Sequence, residues 1–277
     1  MSARQQPWAK KSLGQHFLHD ERILARIAQL ARPEAGSGLV EIGPGTGNLT
    51  AHLLEHHVPL VAIERDQRML SVLDERFDGQ LEVLQGDAAR FDFGTLLERK
   101  EMGPAPVVAG NLPYNAAVPI LFQLLDSRVQ PRRIIAMLQR EVAQRLIAKP
   151  ATSAYGQLSV KMQMRTDCRI ALKVGRGAFA PPPKVQSAVV MIAPLNKLRY
   201  DVPDENRFNQ LVEAGFNQRR KTLARALHNN LRLDVKLVKR SLVAIGQQEQ
   251  ARAEALSPEQ WARLAQELDL PQSKTAT

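Results

Sequence analysis

The fold of this chain is decided by the stretch Leu39-Val40-Glu41-Ile42-Gly43-Pro44-Gly45-Thr46-Gly47. A short, mostly apolar run, typical of a buried strand, leads directly into a loop with three glycines. In a dinucleotide-binding loop the third glycine would stand three residues after Gly45, where this chain has Asn48. The loop therefore indicates close backbone contact with a ligand that lacks a diphosphate, and Glu41 can pair with a cation in that ligand.

Three further strand-like runs end in polar residues at regular intervals. Leu60–Ile63 is followed by Glu64, Leu81–Leu84 by Asp87, and Pro106–Gly110 by Asn111. Successive polar residues lie about 20–25 positions apart, which is the length of one strand and one crossover helix. Because the carboxyl ends of parallel strands meet at the ligand-binding edge of an open sheet, we predict an α/β fold with these residues in one site.

The residues at this edge suit a particular ligand. Glu64 fits the acid that holds two ribose hydroxyls, and Asp87 fits an acceptor for an adenine amino group. Together with Glu41 and the glycine loop, with Gly43 and Gly45 as its binding residues, they describe a nucleoside with a charged amino-acid tail, which is S-adenosylmethionine. Either carboxylate alone would equally fit a solvated loop position.

Asn111-Leu112-Pro113-Tyr114 indicates a pocket for a flat ring that carries an amino group. The amide oxygen of Asn111 and the Leu112 carbonyl can accept hydrogen bonds from an exocyclic amine, and Tyr114 can stack on the ring. The same residues would also fit a plain strand-to-helix turn with an exposed tyrosine. Their place at the end of the fourth strand favours the pocket.

The rest of the chain divides into a sheet region and a helical region. A helix is predicted over Glu21–Ala31, and a fifth strand, Arg133–Leu138, is followed by a helix over Gln139–Ile147. Further strands are predicted at Gln157–Met164, Arg169–Val174 and Ala188–Ala193. The last two form an antiparallel hairpin appended to the parallel strands, which gives a seven-stranded mixed sheet.

Helical patterns dominate beyond about residue 196. They predict helices over Asp204–Gly215, Gln218–Asn230, Val235–Ile245 and Pro258–Leu268. We therefore predict two domains, 1–196 for the ligand-binding sheet and 197–277 for a small all-helical domain. The cluster Arg219-Arg220-Lys221 either contacts RNA phosphates or forms a solvated helix face.

Composition points to a nucleic-acid partner. The formal net charge is +10 and the pI about 10.0, which favours attraction to a polyanion. The single cysteine, Cys168, excludes an internal disulfide and suits the cytoplasm. We expect no secretion signal, no membrane helix and no metal site, because the sequence shows neither the apolar runs nor the ligand spacing that these need.

Five segments in this order resemble the KsgA-type ribosomal RNA adenine dimethyltransferases. They are Leu13–Leu18, Gly43–Gly47, Asn111–Tyr114, Phe179–Val190 and Phe216–Thr222. The resemblance covers the chain from about Lys11 to about Leu268. It implies a Rossmann-like class I methyltransferase fold with S-adenosylmethionine as the cofactor.

The resemblance also implies the substrate. It would be two adjacent adenosines in the hairpin loop near the 3′ end of the small-subunit (16S) ribosomal RNA, each dimethylated at N6 within an immature 30S subunit. We expect a cytoplasmic monomer. Two alternatives stay open: an enzyme of the resistance type that methylates large-subunit (23S) RNA, and a non-catalytic RNA-binding assembly factor.

Three further site residues follow from the resemblance. Phe179, before the stiff run Pro181-Pro182-Pro183, would be held exposed and would sandwich the target base with Tyr114. A rigid connector with a core phenylalanine is the alternative interpretation. His16 and Leu18 would bind the cofactor, and His16 stands where many relatives have asparagine. The resemblance places Asn111 beside the cofactor as well.

Overall fold

The computed structural model describes residues 16–268, and the motif residues Leu13–Gln15 lie outside them. The described chain divides into two compact units. Residues 16–143 and 167–194 form the first, and residues 144–166 and 195–268 form the second. The structure thus differs from the predicted division at residue 196 in one segment, 144–166, which packs with the helical unit.

The first unit is built on a mixed sheet of seven strands, as predicted. In chain order the strands of this unit are β1 (Phe17–Leu18), β2 (Leu39–Ile42), β3 (Leu60–Glu64), β4 (Glu82–Gln85), β5 (Val107–Asn111), β6 (Arg133–Gln139), β7 (Thr166–Val174), β8 (Phe179–Ala180) and β9 (Ser187–Pro194). The large sheet has the order β4-β3-β2-β5-β6-β9-β7. Strands β4, β3, β2, β5 and β6 pair in parallel, and β9 pairs antiparallel to β6. A separate antiparallel pair joins β1 to β8.

The central strands are mostly apolar, because helices cover both faces of a parallel sheet. Every residue of β2 and β3 is buried, whereas β4 at the edge is half-exposed. The order of β3, β2 and β5 brings Glu64, the glycine loop and Asn111 to neighbouring strand ends. A side chain at Gly110 would lie 2.4 Å from the Ile42 carbonyl oxygen, so glycine permits the close approach of β5 to β2.

Six helices lie along the chain between the parallel strands and at their ends. They are α1 (Glu21–Ala31), α2 (Asn48–Leu54), α3 (Gln67–Phe77), α4 (Phe93–Leu97), α5 (Ala117–Asp126) and α6 (Arg140–Leu146). Asp20 caps α1, because its carboxylate accepts hydrogen bonds from the backbone N–H groups of Arg22 and Ile23. The apolar face of α1 buries Leu24 and Ile27 in the core of this unit.

The second unit is helical. Its helices are α7 (Gln157–Arg165), α8 (Glu205–Phe216), α9 (Leu223–Leu231), α10 (Val235–Ala244) and α11 (Pro258–Glu267). Trp261, Phe208 and Tyr155 are fully buried at its centre. A capping box between Ser257 and Gln260, with proline at the first turn, starts α11.

The predicted strand over Gln157–Met164 is wrong, because this segment forms α7. Leu158, Val160, Met162 and Met164 alternate with polar residues as they would in a strand. In the helix, Val160 and Met164 lie one turn apart and pack into the helical core, while Leu158 and Met162 are buried on another face. Because this helix is buried on two faces, its apolar residues alternate in the sequence as those of a strand do.

Candidate active site

The strand ends line a cavity that opens to solvent. All of the predicted cofactor-binding residues line it: His16, Leu18, Glu41, Gly43, Gly45, Glu64, Asp87 and Asn111. Gly43 and Gly45 have φ values of 69° and 56°, in the left-handed region that glycine tolerates. A side chain at Gly45 would come within 2.9 Å of the Phe17 ring, so the loop holds bare backbone against the cavity.

Glu64 is a buried carboxylate fixed by backbone donors. Its Oε2 accepts from the Gly45 N–H at 3.1 Å, and its Oε1 accepts from the Asp66 N–H at 2.7 Å. Burial raises its pKa, and the backbone hydrogen bonds oppose that rise. Because each carboxylate oxygen can accept more than one hydrogen bond, both can still receive the two hydroxyls of a ribose.

Glu41 lies deeper in the same cavity and is 1% exposed. Its Oε2 accepts from the Thr50 hydroxyl at 2.6 Å. Burial raises the pKa of Glu41 to about 8, and the nearby Glu64 adds to the rise. The cavity therefore contains two acidic groups in a poorly hydrated place, which suits a ligand that brings positive charge.

Asp87 lies at the end of β4 and is partly exposed. One carboxylate oxygen accepts from the Ala89 N–H at 3.1 Å, and the other lies 3.4 Å from the Arg65 guanidinium. Arg65 also lines the cavity. Asp87 is thus oriented by its own turn and retains acceptor capacity for an amino group.

Asn111 has an orientation that suits an amine acceptor. Its Nδ2 donates to the His16 carbonyl at 2.8 Å, so its Oδ1 is left as the acceptor. The Leu112 N–H donates to the Met137 carbonyl at 3.2 Å. Within residues 16–268, neither Asn111 Oδ1 nor the Leu112 carbonyl has a hydrogen-bond donor. Two adjacent acceptors, one side chain and one backbone, therefore stand ready at the cavity.

Tyr114 lines the same cavity and is half-buried. Its ring stacks on the His16 imidazole, with centroids 5.6 Å apart and an interplanar angle of 28°. Burial raises the pKa of the Tyr114 hydroxyl, which lies 2.6 Å from the Ser187 hydroxyl. The tyrosine thus presents a ring to the cavity while its hydroxyl is held in the sheet.

The segment from His16 to His19 connects the parts of the site. His16 Nδ1 lies 2.8 Å from the Pro181 carbonyl, and the Leu18 carbonyl accepts from the Asn48 side chain at 2.8 Å. The β1–β8 pairing continues this contact along the chain. His16 and Leu18 therefore border the cavity as predicted. The segment contacts Asn48, just after the glycine loop, and also β8 and Pro181.

Comparison with known proteins identifies the family. The family model for ribosomal RNA adenine dimethylase matches residues 8–270. This chain belongs to that family. The ribosomal RNA small subunit methyltransferase A of an Anaeromyxobacter strain is 43% identical over 94% of this chain and 93% of its own length. The protein of the same name from Bacillus cereus is 41% identical over 94% of this chain and 91% of its own.

Two solved structures of this kind are also similar to the chain. A dimethyladenosine transferase from Plasmodium falciparum is 25% identical, with a TM-score of 0.71 over 90% of this chain and 96% of that one. The 23S rRNA methyltransferase ErmE is 26% identical, with a TM-score of 0.68 over 91% and 99% of the two chains. As a ribosomal RNA adenine dimethylase, the chain is an S-adenosylmethionine-dependent methyltransferase, and the buried Glu64 and the bare glycine loop fit that cofactor.

Phe179 does not occupy the predicted position in this dimethylase. The expectation that the three prolines hold it exposed is wrong, since the side chain is 2% exposed and packs in the sheet core. Phe179 pairs with Leu18 across β1 and β8, which directs it inward while Ala180 faces solvent. The aromatic ring that meets Tyr114 is His16.

The basic cluster lies in a turn and not on a helix face. The predicted helix over Gln218–Asn230 begins only at Leu223, so Arg219, Arg220 and Lys221 precede it, and all three are exposed. Arg219 also donates to the Tyr155 carbonyl at 3.1 Å, which ties the turn to the start of α7. Arg219 thus has a structural contact that its two neighbours do not share within the described residues.

Sequence reasoning missed several residues that position the site. Thr50 binds Glu41, Asn48 binds the Leu18 carbonyl, and Ser187 binds Tyr114. Each is a common polar residue on a helix or strand, and only tertiary contact shows its role. In the described part of the chain there is no cluster of metal-ligating side chains and no helix long and apolar enough to cross a membrane.

Proposed function

We propose that this dimethylase transfers methyl groups to N6 of two adjacent adenosines in the 3′-terminal hairpin loop of 16S ribosomal RNA. It would act as a cytoplasmic monomer on an immature 30S subunit and give N6,N6-dimethyladenosine. The small-subunit enzymes that are 41–43% identical over 94% of the chain support this substrate. The observation that carries the chemistry is the pair of acceptors, Asn111 Oδ1 and the Leu112 carbonyl, beside Tyr114.

Asn111, Leu112 and Tyr114 would contribute to catalysis by positioning the target adenine. The N6 lone pair of adenine is delocalised into the ring, so the amine is a poor nucleophile. Hydrogen bonds from the amine to Asn111 Oδ1 and to the Leu112 carbonyl favour a tetrahedral nitrogen and orient its lone pair. Tyr114 stacks on the base once it has left its neighbours, and unstacked loop bases are presented at low cost.

The cofactor would be held by Glu64 at its ribose, by Asp87 at its adenine and by the glycine loop, with Glu41 close to its charged tail. When bound, it supplies a methyl group on a sulfonium together with its own leaving group. An in-line approach of the amine then depends on how well Asn111 and Tyr114 hold the base. The acceptors of the amine are neutral, so the proton is released to water after the transfer.

RNA contact would involve the helical unit as well. Arg220 and Lys221, in the exposed turn before α9, carry charge without the structural contact that Arg219 makes. We assign them, with Arg219, to phosphate binding, which depends on salt and not on base sequence.

The variant Asn111→Ala tests the function. It should reduce single-turnover methyl transfer far more than RNA affinity, because phosphate contacts dominate affinity and the amide acts on the amine.

Unmodified 30S and 50S subunits are each incubated with labelled S-adenosylmethionine, and the labelled nucleotides are mapped. Label on two adjacent small-subunit adenosines is the expected result. Label confined to 50S would favour the 23S alternative that the likeness to ErmE keeps open.

A non-catalytic assembly factor would label neither subunit. Glu64, Asp87 and Asn111 together argue against that alternative, because a protein that only binds RNA has no need of all three. Near-normal transfer by Asn111→Ala on the correct nucleotides would contradict the proposed mechanism while leaving the substrate assignment intact.

A further inference from the structure

Ser187 is a polar residue in an apolar strand. It begins β9 opposite Gln139 of β6 and is 1% exposed, and the next three residues, Ala188, Val189 and Val190, are fully buried. Burying a hydroxyl without a partner is costly, so such groups are hydrogen-bonded. The partner of this hydroxyl in the described chain is Tyr114, with 2.6 Å between the two oxygens.

Tyr114 needs an anchor outside its own segment. It lies in the turn between β5 and α5, where the backbone has no ladder of hydrogen bonds to fix a side chain. The Ser187 contact holds the far end of the ring, and the His16 imidazole contacts one ring face. The phenol oxygen lies on the axis of ring rotation, so fixing it restricts χ1 and the position of the ring, while the stacked His16 imidazole limits rotation of the ring plane.

We propose that Ser187 is a positioning residue for methyl transfer, which fixes the position of the Tyr114 ring on which the target adenine stacks. This inference rests on the proposed function. Ser187 is well placed for such a role because β9 is bound into the sheet along its length, so the serine does not share the freedom of the turn. The tyrosine hydroxyl then affects catalysis only through the position of the ring.

A double-mutant cycle tests the inference. Ser187→Ala and Tyr114→Phe each remove the same hydrogen bond, and each should lower the single-turnover rate on 30S subunits by roughly two- to tenfold. The double variant should lose no more than either single variant, because the two hydroxyls act as a pair. Ser187→Thr keeps a hydroxyl and should restore most of the rate.

A matched control separates positioning from stability. Ser159 is also fully buried, and its hydroxyl donates to the Arg145 carbonyl in the helical unit. Ser159→Ala should lower the thermal unfolding temperature without lowering the rate at saturating RNA and cofactor. RNA carrying 2-aminopurine at a target position reports stacking, and its quenching should weaken in Ser187→Ala but not in Ser159→Ala.

The outcomes are distinguishable from those of the proposed function. Wild-type protein that labels no small-subunit adenosine would contradict the function itself. Normal labelling by the wild type, combined with an unchanged Ser187→Ala rate or with strictly multiplied losses in the double variant, would overturn the role of Ser187 alone.

Discussion

The variant Glu64→Gln removes the charge that the cofactor is expected to need. In the structure both carboxylate oxygens of Glu64 are engaged by backbone N–H groups, from Gly45 at 3.1 Å and from Asp66 at 2.7 Å. Alanine would leave both donors without an acceptor in a buried loop, so its effect would mix binding with unfolding. Glutamine removes the charge and keeps the shape and one acceptor oxygen, so only one of the two backbone N–H groups loses its acceptor.

The expected magnitude comes from the hydrogen bonds that change. A hydrogen bond to a charged group contributes roughly 1.5–3 kcal/mol, against about 1 kcal/mol for a neutral pair. Two ribose hydroxyls lose a charged acceptor in Glu64→Gln, and the buried position limits compensation by water. We expect a loss of roughly 1.5–3 kcal/mol in cofactor binding, which is one to two decades in Kd.

Calorimetry with S-adenosylmethionine measures the loss directly. Glu82→Gln is a matched control, because Glu82 lies on the neighbouring strand β4, is exposed and pairs with Arg99. The control should bind the cofactor as the wild type does, and both variants should bind RNA normally. A Kd for Glu64→Gln within about twofold of the wild type, with the fold intact, would refute the assignment of Glu64 to the ribose.

Two other predictions concern the basic turn and the second buried acid. Arg220→Ala should lower the log–log salt slope of RNA binding by about 0.7–0.9 without changing the unfolding temperature. Arg219→Ala should lower both the slope and the unfolding temperature, because it also loses the hydrogen bond to the Tyr155 carbonyl. Equal unfolding temperatures of the two variants would contradict a structural role that only Arg219 has. Because the pKa of Glu41 is raised to about 8, its contribution to stability is complete below about pH 4.5 and is lost as pH rises to 8. Wild-type stability in urea should therefore fall relative to Glu41→Gln across that window, and a pH-independent difference would show that Glu41 is ionised throughout.

The strand ends could be predicted from the sequence because each is a local pattern. Each apolar run predicts a strand, and the polar residue that follows it, Glu64, Asp87 or Asn111, predicts a side chain at the end of that strand. The topology of a parallel sheet then brings the ends together without further information. The glycine loop likewise shows in its own spacing that it lacks the diphosphate pattern.

The wrong predictions, for Phe179 and for α7, failed because they depend on which side chains are buried, and burial depends on contacts with residues distant in the sequence. The sequence around Phe179 gives the ring a stiff neighbour but does not say on which side of the chain the core lies. Its pairing with Leu18 settles the direction, and the two residues are 161 positions apart. In the same way α7 alternates like a strand because it is buried on two faces, which a single-sequence pattern cannot separate from a pleat.

Such a distant contact also fixes the orientation of the Asn111 amide, on which the proposed chemistry depends. An amide offers a donor and an acceptor, and only the acceptor can receive an adenine amine. Nδ2 donates to the His16 carbonyl at 2.8 Å, which leaves Oδ1 as the acceptor that we propose receives the amine. His16 in turn contacts the Pro181 carbonyl and the Tyr114 ring. The His16 backbone therefore orients the amide that we propose orients the amine, while the His16 side chain contacts the ring that we propose stacks on the base.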